Sequence, residues 1–473
     1  MKRMYFFPIL LFTFFSTASL AQTSKFIGTW LGTLKVGIDL RIVFHIADDG
    51  KGGFITTADS PDQSAYGLKC DTTTIKDNQV TIDMKNLMAV FTGKLEDDST
   101  INGVFTQQAA LPLVLKKTGK VTEKNRPQTP RPPFPYRSEE VIYTSAGKSL
   151  SYGATITIPE GKGPFPAAVM ITGSGPQDRD ETIMGHKLFA VIADDLARKG
   201  YIILRVDDRG VGKSTGSFPE ATSEDFAEDV NNSVDYLLSR KEVDKKKVGL
   251  IGHSEGGMIA PMVAAKRKDI NFLVLLAAPG VRIMELMAEQ NEAIARSSGV
   301  SEGTLKEIKP LFKQVVVAIM EAPDSSTAVT SVTLLTEAWA ADKSKAILKE
   351  LDFETAKKRS EYIVEMVRQF QSPWFRYFIN FNPAQYLELL SCKVLALNGD
   401  KDIQVISGQN LPGIEAALKK SRSRTYEIKE LPGMNHLFQV CKKCTINEYG
   451  ELEETISPAV LEIVSDWLNK NVK

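Results

Sequence analysis

Histidine and cysteine are scarce in this sequence, and neither sign of charge is in excess. Among 473 residues there are four histidines and four cysteines, and Lys plus Arg equal Asp plus Glu at 58 each. Without a net charge the chain has no field to attract a nucleic acid or an anionic membrane. The few histidines limit the candidates for a catalytic imidazole to His45, His186, His253 and His436.

Acidic residues are absent from the start of the chain, which has the composition of an export signal. Lys2 and Arg3 precede the apolar run Met4–Phe15, and Ser19-Leu20-Ala21 supplies a small-x-small cleavage site. We expect residues 1–21 to be a cleaved signal peptide and the mature protein to be periplasmic or secreted. An uncleaved anchor is the alternative, but the run is short for a span of about 20 residues. No later stretch is apolar enough to span a bilayer, so no stable membrane insertion is expected after cleavage.

Helical periodicity is missing between residues 22 and 120. Segments such as Leu40–Ile46 and Val80–Met84 alternate in polarity and are separated by turn residues. This pattern predicts a small all-β N-terminal domain, folded as a barrel or a sandwich. A stretch with five prolines follows, and we expect a Pro-rich linker at residues 121–137.

Residues 138–473 alternate apolar strands with amphipathic helices. Segments such as Ala167–Ile171 and Phe272–Ala277 are predicted strands separated by helical patterns. This order indicates an α/β fold with a mostly parallel sheet covered by helices on both faces. Between about 281 and 390 the pattern is helical throughout. An insertion of that length is too long for a loop, so we expect it to pack as a helical lid.

The strongest motif is Gly252-His253-Ser254-Glu255-Gly256, which follows an apolar strand and opens a helical pattern. In a nucleophile elbow the chain turns sharply from strand to helix and exposes one serine hydroxyl above the sheet. Glycines flank that serine because strand and helix pass close together. Chance matches to such a short pattern occur in loops, but the strand before it and the helix after it favour Ser254 as a nucleophile.

An acid and a histidine follow the serine in the order of an acyl-transfer triad. Histidine activates the serine hydroxyl, and a carboxylate holds the imidazole in the required tautomer. Only His436 lies downstream of Ser254, just after a predicted strand. Asp400 and Asp402 both follow the preceding strand. In the hydrolase layout that this order resembles, the acid comes three positions after the strand-end glycine, Gly399, which implies Asp402. The predicted triad is Ser254, Asp402 and His436.

With these motifs in order, residues 138–473 resemble the α/β-hydrolase superfamily, specifically exported bacterial carboxylesterases with a helical lid. The matching segments are Gly173–Asp180, Asp208–Ser214, Gly252–Gly257, Gly399–Asp402 and Asn435-His436. The resemblance implies the same triad. It also implies an oxyanion hole made of the backbone amides of Ser174 and Glu255. Neither a cofactor nor a metal ion is expected.

The substrate class stays open at this point, because one fold supports many reactions. The favoured function is a carboxylesterase acting on esters of small or medium acyl groups. An acyl-thioesterase or a serine peptidase would use the same triad, and a binding module with a vestigial triad is a remote alternative. A peptidase that trims free N-termini needs a carboxylate for the amine. Glu255 is a candidate, whereas Arg179 is expected to neutralise Asp178 and Asp180. The oligomeric state is left open.

Cys441 and Cys444 form a Cys-x-x-Cys pair five residues after His436. In an exported chain this spacing favours a local disulfide that stiffens the loop carrying His436. Two free thiols are the alternative. A zinc site would need further ligands, for which the sequence offers no second pair.

Overall fold

The structure of the protein is a computed structural model. It describes residues 24–473 except 36–38, 64, 108–109, 120–124 and 148. The predicted signal peptide, residues 1–21, lies outside these described residues. The chain divides after Asn125 into two compact units, 1–125 and 126–473. No helix in the described ranges combines the length and the apolar character needed to cross a membrane.

The first unit is all β, as its alternating pattern predicts. Eight antiparallel strands close into a barrel in the order β1-β2-β3-β5-β6-β7-β8-β9, with β9 pairing back to β1, and β4 pairs with β3 at the side. The strands are β1 Gly28–Lys35, β2 Asp39–Asp48, β3 Phe54–Ser60, β4 Ala65–Lys69, β5 Thr72–Lys76, β6 Gln79–Met84, β7 Ala89–Asp97, β8 Thr100–Thr106 and β9 Ala110–Thr118. Inward side chains including Trp30, Phe44 and Phe91 are fully buried and fill the interior.

The second unit is built on an eight-stranded mixed sheet with the order β10-β11-β15-β12-β16-β17-β18-β19. The first three strands in that order pair antiparallel and all the others pair parallel. The strands are β10 Tyr136–Thr144, β11 Ser151–Pro159, β12 Phe165–Ile171, β15 Ile202–Val206, β16 Val243–His253, β17 Ile270–Leu276, β18 Lys393–Gly399 and β19 Tyr426–Leu431, and β13 Thr182–Ile183 with β14 His186–Lys187 forms a separate hairpin. The central strands are buried along their length, as parallel strands covered on both faces require.

Helices cover both faces of this sheet and enclose two hydrophobic clusters, one on each side. The predicted α/β fold is therefore confirmed, together with the all-β unit that precedes it. The helices are α1 Leu188–Arg198, α2 Ser223–Ser239, α3 Glu255–Lys266, α4 Ile283–Ser297, α5 Glu302–Glu321, α6 Ser325–Ala341, α7 Lys345–Glu350, α8 Ala356–Phe370, α9 Pro373–Ile379, α10 Ala384–Leu387, α11 Ser407–Lys420, α12 Ile446–Tyr449 and α13 Pro458–Asn471. Helices α4–α10 occupy the insertion predicted between β17 and β18 and form the lid.

The first residues of the second unit are held by hydrogen bonds to it. The Arg126 guanidinium donates to the carbonyls of Met184, at 3.0 Å, and Gly450, at 2.9 Å. The Gln128 side chain donates to Ile456 at 2.7 Å. These bonds place the beginning of the Pro-rich stretch in the second unit, while the predicted linker limits of 121–137 stay a prediction.

Glycines permit close backbone contacts at the carboxyl edge of the sheet. A Cβ added to Gly252 would lie 2.2 Å from the Gly256 carbonyl oxygen, and one added to Gly256 would lie 2.1 Å from that of Ile171. At Gly399 the added Cβ would lie 2.1 Å from the carbonyl oxygen of Met434. Any larger residue would therefore force apart the strand ends and loops that meet at this edge.

Candidate active site

Ser254 occupies the sharp turn between β16 and α3. Its backbone has φ 53° and ψ −119°. Residues other than glycine rarely adopt such a positive φ. Its amide donates to the carbonyl of Leu276 on the neighbouring strand at 2.8 Å. Such strain costs about 1–3 kcal/mol and persists where the surroundings enforce it, often at functional sites. The strand–turn–helix context expected for the motif is present.

Asp402 and His436 are brought together from the loops after β18 and β19. The Asp402 Oδ2 and His436 Nδ1 atoms lie 2.7 Å apart, with both side chains almost fully buried. The other oxygen, Oδ1, accepts the backbone N–H groups of Gln404 at 2.8 Å and Val405 at 2.9 Å. The carboxylate is thus fixed by its own loop, and its bond to Nδ1 leaves the opposite ring nitrogen, Nε2, available for proton transfer.

Asp400 makes different contacts. Its carboxylate accepts the backbone N–H of Gly433 and pairs with Lys401 at 2.9 Å. Burial would raise the pKa of Asp400, but the Lys401 ammonium and the Gly433 amide hold it below the usual range. Of the two neighbouring aspartates, it is Asp402 that bonds to His436, and its role as the acid stays a prediction.

The two amides expected to form an oxyanion hole belong to residues that border the same space as Ser254. Ser174 follows β12, and Glu255 begins α3. Neither backbone N–H has a hydrogen-bond partner within the described chain. The neighbouring amide of Gly173 is already used, because it donates to the Glu181 carboxylate at 2.7 Å. Of the two adjacent loop amides, the one belonging to Ser174 is free to bind an oxyanion.

A cavity of about 300 Å³ contains Ser254 and His436, under the lid. Its size is at the lower end of the range for small-molecule pockets. Four glutamines contribute to its wall, and no lysine or arginine is among its described lining residues. Apolar side chains form most of the remainder, namely Ile183, Met184, Pro279, Leu286, Met287, Trp374, Phe375, Phe378, Val405, Leu437, Ile446 and Tyr449.

The Glu255 side chain joins the elbow to the lid. Its Oε1 accepts the Ser223 hydroxyl at 2.6 Å and the indole N–H of Trp374 at 2.9 Å. Burial raises the pKa of Glu255, against the opposing effect of these donors and of Ser174. The Glu255 carboxyl group thus ties lid helix α9 to the nucleophile turn.

Cys441, Cys444 and Glu448 form the one cluster of metal-ligand side chains found among the described residues. The two sulfurs are joined in a disulfide, as the spacing favoured. The Glu448 carboxylate accepts three backbone N–H groups, from Lys442, Lys443 and Cys444. All three side chains are thus engaged in holding the loop that follows His436.

The sequence did not indicate the contacts of the acidic loop before α1. Arg179 was expected to neutralise Asp178 and Asp180, and this was wrong, because its guanidinium forms a bidentate pair with Asp207 instead. Asp180 is neutralised by Arg205 and Lys187. Asp178 accepts the Thr182 hydroxyl and nearby backbone amides. Sequence neighbours in a turn point in different directions, so adjacency did not predict pairing.

Glu181 and His253 are the functional candidates that the sequence missed. They form a buried pair beside the site, with the Glu181 Oε1 and His253 Nδ1 atoms 3.0 Å apart. The order of the motif excludes His253 as the base, because it precedes Ser254, and assigns it no other role. The one signal that could have drawn attention to it is the rarity of histidine in the chain.

Comparison with known proteins finds similarity over the central part of the chain. A family model described as serine aminopeptidase, S33, matches residues 185–350. Esterase EstD of Thermotoga maritima is 36% identical over 164 residues, which are 34% of this chain and 39% of that protein. Mouse acyl-coenzyme A thioesterase 5 is 27% identical over 181 residues, which are 37% of this chain and 39% of that protein. The chain thus spans about two fifths of the length of these curated relatives.

Among solved structures, an esterase of Pyrococcus furiosus is similar to this chain with a TM-score of 0.43 and 12% identity. The match covers 72% of this chain and 92% of that one. The family match includes the elbow but ends before Asp402 and His436, so the placement of those two residues beside the elbow rests on the geometry described above.

We predict that Asp402→Asn lowers kcat at least about 1,000-fold, because an amide in place of the carboxylate favours the wrong imidazole tautomer. Asp400→Asn is the matched control, and it is expected to retain at least half of the activity. Steady-state kinetics on one ester measures both. Equal losses in the two variants, or a larger loss in the control, would contradict the assignment of the acid.

A second prediction concerns Asp208, which lies beside the oxyanion loop. Burial, reinforced by the carboxylates of Glu181 and Glu255, raises the pKa of Asp208 to about 8, against hydrogen bonds from Thr172 and Gln177. The unfolded chain releases this proton near pH 4 and the folded chain does so only near pH 8. This group therefore destabilises the fold progressively as the pH rises between those values.

Asp208→Asn removes the titration, so the dependence of the thermal midpoint on pH between 5 and 8 should become flatter. Asp342→Asn, at an exposed carboxylate of the lid, is the control and should leave the slope of the parent protein. Scanning calorimetry across this pH range provides the measurement. An unchanged slope in Asp208→Asn would show that Asp208 does not titrate there.

Proposed function

We propose that the second unit, with its α/β-hydrolase fold, is a serine carboxylesterase acting on esters of small or medium acyl groups. Ser254 is the proposed nucleophile, His436 the base and Asp402 the acid. The observation that carries this proposal is the buried 2.7 Å contact of Asp402 with His436, a residue that lines the same cavity as Ser254.

In the proposed reaction, the Ser254 hydroxyl oxygen attacks the ester carbonyl while His436 Nε2 takes the hydroxyl proton. The amides of Ser174 and Glu255 stabilise the negative oxygen of the tetrahedral intermediate. When that intermediate collapses, the C–O bond to the alcohol breaks and His436 returns the proton to the alcohol. Water then attacks the acyl-enzyme with the same histidine as base, which releases the acid and restores the serine.

The charge inventory of the cavity favours an ester over a coenzyme A thioester. Phosphate groups are bound in proteins by Arg and Lys side chains or by helix N-termini. The described cavity wall contains neither basic residue type. A volume of about 300 Å³ also suits a small ester, whereas the nucleotide part of an acyl-coenzyme A would have to remain outside.

The surroundings of the acidic residues favour an ester over an aminoacyl substrate. An enzyme that removes N-terminal residues needs an anionic group to hold the substrate ammonium. Glu255 accepts hydrogen bonds from Ser223 and Trp374, and burial raises its pKa, which disfavours the anion that an ammonium group needs. Glu181 also lines the cavity, but its Oε1 is engaged by Gly173 and His253. Asp178 bonds within its own loop, Asp180 pairs with Lys187 and Arg205, and neither lines the cavity.

We also propose that the protein is exported, on the basis of the signal peptide predicted at residues 1–21. The Cys441–Cys444 disulfide supports this proposal, because disulfides persist mainly in oxidising compartments.

A panel of p-nitrophenyl acyl esters, acyl-thioesters and aminoacyl nitroanilides tests the substrate class. We expect the highest kcat/KM on esters with acyl chains of two to about eight carbons, because each buried methylene contributes about 0.8 kcal/mol until the cavity is filled. Activity should disappear in Ser254→Ala. Faster turnover of the nitroanilides or the thioesters would replace the proposal by that class. A lack of turnover on every class would favour a binding module.

Glu255→Gln separates the esterase from the peptidase on a single residue. Glutamine has nearly the same shape and retains an oxygen for Ser223 and Trp374, so ester turnover should stay within about threefold of the parent value. If the carboxylate held a substrate amine as an anion, this change would abolish aminoacyl turnover. Glu255→Ala is the contrast variant, and it should lose activity because the indole N–H of Trp374 would lose its acceptor.

A further inference from the structure

We propose that Glu181 and His253 form a second acid–histidine pair, which positions the oxyanion loop and the catalytic base around Ser254. Both are positioning residues that act through other groups. The inference rests on the proposed function, since it concerns the same site. It gives Glu181 and His253, which lie outside the Ser–Asp–His triad, a role in positioning that triad and the oxyanion loop.

The pair connects three separate segments of the chain by hydrogen bonds. Glu181 Oε1 accepts the backbone N–H of Gly173 at 2.7 Å and lies 3.0 Å from His253 Nδ1. His253 Nε2 lies 3.0 Å from the backbone carbonyl oxygen of His436. The oxyanion loop, the elbow strand and the loop of the base are therefore joined through one carboxylate and one imidazole.

The contacts fix one proton of the pair. A carbonyl oxygen only accepts hydrogen bonds, so His253 Nε2 must carry a hydrogen. The second proton lies in the hydrogen bond between His253 Nδ1 and Glu181 Oε1. Burial alone would lower the pKa of His253, but the charge and hydrogen bond of Glu181, the His436 carbonyl and the charge of Asp402 together raise it.

This pair has the features of a group retained for geometry rather than stability. Both side chains have 1% or less of their surface exposed. The free energy lost when such groups are removed from water is offset only in part by the attraction between them. The other Glu181 oxygen, Oε2, is buried without a partner in the described chain. Glu181 also has a φ of 47°, a conformation that costs energy for a side chain of this kind. The burial, the unpartnered oxygen and the positive φ all destabilise the fold, and all three occur beside Ser254.

The consequence for catalysis follows from where the tethers end. A Cβ added to Gly173 would lie 3.2 Å from both Glu181 Oε1 and the Ser254 Cβ, so the tethered loop borders the nucleophile directly. Holding the Gly173 amide fixes the next amide, that of Ser174, in place for the oxyanion. Holding the His436 carbonyl fixes the backbone of the base, whose ring centroid lies 4.7 Å from that of His253.

The test compares Glu181→Met with Glu181→Gln in the full chain, per active site titrated with a fluorophosphonate. Methionine has a similar size but no oxygen acceptor, so the bonds of Glu181 to the Gly173 amide and to His253 are both lost. We expect kcat to fall about 100-fold with KM within threefold, because the oxyanion contacts act in the transition state and removing one such donor costs 10²–10³. Glutamine retains an acceptor for Gly173 and should recover kcat to within about tenfold of the parent.

Affinity for a trifluoromethyl ketone, which mimics the tetrahedral intermediate, should fall in parallel with kcat. A role limited to stability would lower the thermal midpoint and the titratable fraction without this change. The His45–Asp59 pair in the barrel, with a contact of 2.7 Å, provides a matched control. His45→Gln should leave kcat per active site unchanged.

His253→Asn is the second variant, since it leaves the Gly173–Glu181 bond but unties His436, and kcat should fall with KM retained. If Glu181→Met does not fold, His253→Asn and Glu181→Gln decide the matter. Values of kcat within threefold of the parent in every variant that folds, or an increase in KM with kcat unchanged, would overturn the positioning role of Glu181 and His253. A parent protein without ester turnover would instead overturn the proposed function, so the two failures are distinct.

Discussion

The close contact of backbones at the carboxyl edge of the sheet is the constraint on which the site depends. Strand β16 approaches α3 so closely at Gly252, and α3 approaches the end of β12 so closely at Gly256, that neither position has space for a Cβ. The chain must turn there within one residue, and that residue, Ser254, takes a strained positive φ. A similar contact at Gly399 brings the end of β18 against the loop that carries His436. Because glycine lets these segments touch, Ser254 and His436 line one cavity.

Local chemistry explains how much of the site was predictable from the sequence. The elbow motif, the spacing of Asp402 from Gly399 and the order of the triad are short-range signals tied to strand ends, and these could be predicted from the chain. The barrel strands are predicted by the alternation of apolar and polar residues, and the sheet strands by short apolar runs. The helical lid follows from composition and from the length of the insertion between two strands.

Contacts between distant segments explain what was not predictable. Glu181 reaches His253 over 72 positions, and Trp374 reaches Glu255 over 119. Each depends on how loops cross above the sheet, and no period in the sequence encodes that. Arg179 illustrates the same limit, because its partner, Asp207, lies on the next strand end rather than beside it. Which described side chains line the cavity also depends on how the lid helices pack, and no lysine or arginine is among them.

The central claim is that Ser254 is the nucleophile of an acyl-transfer site. Intact mass spectrometry after treatment with a fluorophosphonate, followed by peptide mapping, tests it most directly. We predict one phosphonyl group per chain, on the peptide that contains Ser254, and none on the Ser254→Ala variant. A chain that stays unlabelled, or a label on another residue with Ser254 unmodified, would show that Ser254 is not the nucleophile.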